Sequence, residues 1–235
     1  MQDNAGRTPL WLACYRGQLD VALLLLRDER TDPNISGPNG DSPLSAAVCQ
    51  ALKANGSGIA LDGAQRTFLK IVEALVKCPK VDVNAKNKHG TTALHLAAAH
   101  PGTSLLRAIL SRAGVQVNLP DESGQTIIHK AAASNSSHTL GLLLERNDVD
   151  IWSKDNRGRS GLHHAAGHGT HHNIRSLLSQ DSARVNEADA QGMTPLHCAA
   201  AADHVHCAQE LLMNCQTQLN VQDDNGDSPL HHAVS

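Results

Sequence analysis

The chain is predicted to fold as a curved, all-α solenoid of helix-turn-helix units joined by β-hairpin-like fingers, and three regularities carry that expectation. Gly6, Gly40, Gly90, Gly124, Gly158, Gly192 and Gly226 recur every 34 residues, with a single step of 50 between Gly40 and Gly90. A variation on one phrase follows each glycine, from GRTPLWLAC at the start to GMTPLHCAA and GDSPLHHAV near the end. An apolar pattern at i, i+3 and i+4 then closes each period. A fixed period of this size marks a repeat array.

Each unit opens on a turn. Asp121, Asp155, Asp189 and Asp223 stand three residues before a glycine, where positive φ or close backbone approach favours Gly. A Ser or Thr two residues after the glycine is placed as a helix N-cap, and Pro9, Pro43, Pro195 and Pro229 take the first helical position, where a missing N–H costs nothing. Alanine follows at Ala13, Ala47, Ala97, Ala131, Ala165, Ala199 and Ala233, because a larger side chain would push stacked helices apart. The second helix carries one apolar stripe, as in Leu106/Ile109/Leu110 or Ile174/Leu177/Leu178. Six residues before the next glycine stands Asn34, Asn84, Asn118, Asn186 or Asn220, with Trp152 the exception. Asparagine there suits a loop whose backbone takes local side-chain hydrogen bonds.

The phrase T-P-L-H-x-A, complete in Thr194 to Ala199, is the ankyrin signature, and on these residues the whole chain resembles the ankyrin-repeat family. The units fall at 3–36, 37–86, 87–120, 121–154, 155–188 and 189–222, with a partial seventh at 223–235. The first unit reads as an interior repeat and the last stops before its second helix, so the chain is expected to be a piece of a longer protein, with Met1 an added residue. The second unit is 16 residues longer than the others. The insertion, about 53–66, falls at the helix–helix turn. A loop would suit Asn55-Gly56-Ser57-Gly58, whereas helices extended by a turn would suit SAAVCQALKA and the capping-box-like Asp62-x-x-Gln65. The second reading is favoured, with 55–61 as the connector.

A net charge of −3 with a pI near 6.5 offers no electrostatic footprint for nucleic acid. Two Trp, one Tyr and one Phe are too few to build a base-stacking platform. The longest apolar stretch, Val21 to Leu26, is far short of the roughly 20 residues that span a bilayer. Six cysteines form no C-x-x-C pair, which points to free thiols in a reducing cytoplasmic or nuclear compartment. No phosphate loop, H-E-x-x-H or nucleophile elbow is present, so no enzyme activity and no cofactor is expected. Ser160, His163 and Asp155 lie close in sequence, yet N-cap and turn roles account for Ser160 and Asp155.

Histidine is abundant, with 15 in the chain. The resemblance gives His95, His129, His163, His197 and His231 a structural role, neutral imidazoles bridging loop and helix backbones. His164, His168 and His172 are spaced i, i+4, i+8, with His138, His171, His204 and His206 in the same or neighbouring inter-helix turns. Such a group could hold zinc or switch with pH, but no spacing completes a tetrahedral site and no metal is assigned.

The resemblance implies a monomeric scaffold that binds another protein through its concave face. Fingertips would present Lys88, His89, Glu122, Gln125, Asn156, Arg157, Arg159, Gln191 and Met193. The first-helix row would present Tyr15, Arg16, His100, Lys130, Ser134, His164 and His168. Trp152, Tyr15, Arg157 and Arg159 are the expected anchors, since Arg, Tyr and Trp dominate hot spots, with packing of Trp152 under its own loop the alternative. Charge reversal at Arg157 and Arg159 together is expected to spare stability.

Overall fold

The protein is described from a computed structural model that covers residues 2–54 and 63–234. Each repeat contributes two helices: α1 Pro9–Arg16 and α2 Leu19–Arg27, α3 Pro43–Lys53 and α4 Gly63–Lys77, α5 Ala93–Ala98 and α6 Ser104–Leu110. There follow α7 Ile127–Ala133 and α8 Ser137–Leu144, α9 Gly161–Gly167 and α10 His171–Leu178, α11 Pro195–Ala201 and α12 Val205–Leu212, and α13 Pro229–Ala233. One 3-10 helix, Ser182–Asn186, follows α10. The chain forms two compact units, Met1–Ala97 with Gly102–Gln116, and Ala98–Pro101 with Val117–Ser235.

Local chemistry starts every first helix in the same way. Thr8, Ser42, Thr126, Ser160, Thr194 and Ser228 are extended N-caps, and proline opens α1, α3, α11 and α13. In α7, α9, α11 and α13 the cap is reciprocal, with the histidine at the third helical position accepting the cap residue's own N–H. That is a capping box with imidazole in place of the usual Glu or Gln.

Packing within each unit follows from the small residues. Ala47, Ala97, Ala131, Ala165 and Ala199 are fully buried, which lets α1 pack on α3 and α7 on α9, and α9 in turn on α11. Leu75, Ile109, Leu143, Leu177 and Leu211 of the second helices are equally buried. One polar position serves this stacking. Thr139 Oγ1 donates to the His100 carbonyl at 3.0 Å, and Asn173 Nδ2 donates to the carbonyls of Ala132 and Ser134 at 3.0 and 2.8 Å. These carbonyls lie at or just beyond the end of the preceding first helix, where intrahelical donors run out.

The inserted repeat has the two longest helices, of 11 and 15 residues. The extra turns of α4 bring Phe68 against Gly17, the left-handed C-cap of α1, where an added Cβ would meet the ring at 3.0 Å. The expected connector 55–61 and Asp62 of the capping-box reading lie outside the described residues.

The asparagine ladder departs from expectation. Its hydrogen bonds are not local. Asn118 donates Nδ2 to the Asp148 carbonyl and accepts the Asp150 N–H, both at 2.8 Å. Asn34, Asn84 and Asn186 make the same two bonds to the following repeat. Each asparagine is therefore a rung between loops 30 or more residues apart.

Candidate partner-binding surface

Fingers are built from their aspartates. In each of Asp3, Asp121, Asp155, Asp189 and Asp223 the Oδ1 atom accepts the N–H groups two and four residues on, at 2.9 to 3.0 Å, as for Arg157 and Arg159 on Asp155 at 2.9 and 3.0 Å. Neighbouring fingers are stitched by backbone: Lys88 N–H to Asn39 O at 3.2 Å, Asn156 to Ser123 at 3.0 Å, Ala190 to Arg157 at 2.8 Å, and Asp224 to Gln191 at 3.0 Å. This approach adds a second reason for glycine at Gly40, Gly124, Gly158 and Gly192. Gly124 has φ of +76°, and an added Cβ would lie 2.6 Å from the Asn156 nitrogen.

Asp121, Asp155 and Asp223 use their second oxygen to hold side-chain donors. Asp121 Oδ2 pairs with Lys130 Nζ at 2.8 Å, and Asp155 Oδ2 accepts from Arg159 Nη2 and His164 Nε2, each at 2.9 Å. Burial pushes the Asp155 carboxyl up, but the hydrogen bonds from Arg159 and His164 outweigh it and hold it down to about 2. His164 shifts the same way for the opposite reason. Its burial penalises the imidazolium, and with the Asp155 charge already matched by Arg159 the ring stays neutral, lowered to about 4. His232 repeats the bond to Asp223 Oδ2 at 2.9 Å. Asp223, Asp227 and His232 bring three ligand-type atoms within 4.8 Å of one another, although Asp223 is already engaged by two backbone N–H groups and the imidazole.

The structural histidines have one tautomer. His129 Nδ1 accepts the Thr126 N–H at 3.0 Å, so its Nε2 carries the proton and donates to the Arg159 carbonyl at 3.0 Å. His163 bridges Ser160 to the Met193 carbonyl, and His197 bridges Thr194 to the Asp227 carbonyl, in the same manner. Burial lowers the proton affinity of His129 and His163. Ser160 Oγ meets His163 Nδ1 at 2.9 Å while Asp155 bonds His164, so these three side chains form no catalytic relay.

A cleft of about 290 Å³ lies over α7 and α9, lined by Gln125, Lys130, Ser134, Arg159, His164 and His168 among others. It gathers six of the sequence-predicted residues in one place. Two of them are corrected by their burial: Ser134 and His164 are each only 5% exposed, so neither stands on an exposed row. Ser134 is drawn in by the Asn173 contact, and His164 by Asp155. Arg159 is likewise bound to a buried carboxylate and so differs from the exposed Arg157, which argues against a harmless reversal of both charges. Lys88, His89, Glu122, Asn156, Arg157 and Gln191 are exposed fingertips; Gln125 and Met193 are half-buried. His168 is exposed and His100 half-buried.

In the first unit, Tyr15 stacks on Trp11 with ring centroids 5.0 Å apart and is 42% exposed. Both line a second cleft of about 300 Å³ with Arg7, Asp41 and Lys53, while Arg16 is exposed nearby on the same helix. Trp152 is half-buried, and Arg184 of the following repeat lies over its ring. His172 sits on α10, a different helix from His164, so the i, i+4, i+8 spacing does not make one face. Sequence reasoning missed the polar position of Thr139 and Asn173; the 34-residue spacing between them was the signal that could have found it.

The family model for "Ankyrin repeats (3 copies)" matches residues 61–155 and 139–223, and that for "Ankyrin repeat" matches 5–38. The chain belongs to the ankyrin-repeat family. Among solved structures it is similar to the ankyrin repeat domain of Bcl-3, described as a unique member of the IkappaB protein family, with a TM-score of 0.76, 27% identity, and 99% and 96% of the two chains covered. Human ankyrin repeat domain-containing protein 63 is 34% identical over 110 residues, 46% of this chain and 25% of that protein. Human neurogenic locus notch homolog protein 2 is 35% identical over 98 residues, 42% of this chain and 3% of that protein. The chain thus matches a quarter or less of these curated relatives' length. Ankyrin repeats build protein–protein interaction scaffolds. Among the described residues no helix is long and apolar enough to cross a membrane.

Proposed function

We propose that this ankyrin chain is a non-enzymatic, monomeric scaffold of the cytoplasm or nucleus that binds a partner protein through its fingertips and first-helix row. The observation that carries this reading is the 290 Å³ cleft, where Gln125, Lys130, Arg159 and His168 from two successive repeats converge beside exposed fingertips. Its cations are partly neutralised by Asp121 and Asp155, which suits a mixed polar protein surface better than a polyanion such as nucleic acid. Tyr15, Arg16, Lys88, His89, His100, Glu122, Trp152, Asn156, Arg157, Gln191 and Met193 complete the proposed contact set, and Ser134 and His164 act behind it by holding its shape.

A second reading is favoured by the relatives, of which this chain matches only a quarter or a few per cent. The chain would then be the targeting or regulatory module of a larger protein. Affinity capture with parent chain, followed by mass spectrometry, tests both. The scaffold reading expects a partner lost on Lys88→Glu, Arg157→Glu and Gln191→Glu combined, with an unchanged melting temperature. Capture that survives this triple change would place the contact elsewhere.

A further inference from the structure

Histidine recurs as the second residue of the second helix in three consecutive repeats, as His138, His172 and His206, spaced 34 residues apart and all exposed. His171 adds a fourth imidazole at the start of α10, which packs against α12, where His206 lies in the first turn. The His171 and His206 ring centroids are 5.5 Å apart, and those of His171 and His172 only 3.9 Å apart.

These spacings differ in what they permit. Zinc–imidazole bonds of about 2 Å at a tetrahedral angle separate two ligating rings by roughly 5 Å, centroid to centroid. His171 and His206 already stand near that distance. His171 and His172 are in ring-to-ring contact, too close to share an ion. A third donor stands nearby, since Glu210 lies one turn after His206 on α12, although the three side chains are not gathered within ligating distance of one another here. Its carboxylate reaches back to α10, where Arg175, one turn after His171, donates Nε to Oε2 at 3.1 Å.

We propose that His171, His206 and Glu210 form a surface site for a divalent transition ion of the zinc class. This goes beyond the partner-binding reading and does not depend on it. Two imidazoles and one carboxylate are a borderline donor set that suits Zn²⁺, Ni²⁺ or Cu²⁺ and not Ca²⁺ or Mg²⁺, which require oxygen cages. On binding, Glu210 exchanges Arg175 for the ion, His206 gives up its contact with Gln209 at 3.2 Å, and water completes the tetrahedron. The ligands come from two successive repeats, so the ion clamps α10 to α12 and stabilises the pair by mass action.

Isothermal calorimetry with ZnCl₂ on the full chain, in a buffer that does not chelate, tests the site. One Zn²⁺ per chain is expected, with a raised melting temperature at saturation and no heat from CaCl₂. His206→Gln should weaken binding about tenfold or more, whereas His138→Gln should not change it. Arg175→Gln frees the Glu210 carboxylate and should tighten binding. All are substitutions of exposed side chains, and circular dichroism checks their folding. Equal affinity in the parent and His206→Gln, no binding up to millimolar Zn²⁺, or weaker binding in Arg175→Gln would overturn the assignment.

Discussion

The guanidinium carbon of Arg184 lies 4.9 Å from the centroid of the Trp152 ring, at the one loop position where asparagine is replaced. Asn84, Asn118 and Asn186 each span to the N–H 32 residues on; from Trp152 the residue at that spacing is Arg184. A cation–π contact stands where the hydrogen-bonded rung would be. Arg184 is further anchored by Glu187 at 2.5 Å and Asp181 at 3.3 Å. A double-mutant cycle on Trp152→Leu and Arg184→Gln should give a coupling of about 0.5–1 kcal/mol in thermal unfolding. Additive effects would show that the two side chains stabilise their loops independently.

Finger stacking makes a graded prediction about the turn glycines. Gly124 and Gly6 share a left-handed φ, of +76° and +77°, but an added Cβ at Gly6 meets nothing within 4 Å whereas at Gly124 it strikes the next finger. Gly6→Ala should therefore cost about 1 kcal/mol, from backbone strain alone. Gly124→Ala should cost about 2–4 kcal/mol, because the Asn156 backbone must also retreat. Urea titrations showing equal losses would mean that fingers give way without cost.

These glycines also show what was legible in the sequence. Turn glycines, N-caps and buried alanines answer to constraints inside one repeat, so residue type and spacing place them. The asparagine rungs, the burial of Ser134 and the pairing of His164 with Asp155 depend on which side chain the next element offers. Those partners are set by stacking, so Asn118 looked like a locally bonded loop residue and His164 like an exposed one. The exposure of Arg157 was legible because a turn at the end of a repeat lies outside the stacked helices.

Neutral buried imidazoles give stability a dependence on pH. His164 is lowered to about 4, and burial also lowers His163 and His129. The unfolded chain binds protons on these rings below about 6.5 while the folded chain refuses them, so stability is full above that pH and falls as pH drops towards 4. Asp155, held to about 2, works in a separate window, losing its contribution only as pH falls from about 3.8 towards 2. Melting temperatures measured from pH 7.5 to 4.5 should decline in the parent and decline less in His164→Gln. Parallel curves would mean that His164 gains its proton without opening the fold.

Arg157 and Arg159 stand two residues apart and should behave differently. Arg157 is exposed on its finger, so Arg157→Glu should change stability by less than about 0.5 kcal/mol. The Arg159 side chain is 29% exposed but holds an Asp155 side chain that is only 1% exposed. Arg159→Glu would set a second carboxylate against a buried one, with His164 the remaining donor, and should cost about 2–3 kcal/mol. Ala165→Leu, which overfills a fully buried position between stacked helices, should cost about 1–3 kcal/mol and serves as the core reference. If partner capture is then lost in Arg157→Glu while its unfolding midpoint matches the parent, the finger is a contact surface and not a structural one. Equal destabilisation by Arg157→Glu and Arg159→Glu would instead show that Asp155 does not distinguish them, and the cation pairing inferred at this finger would fall.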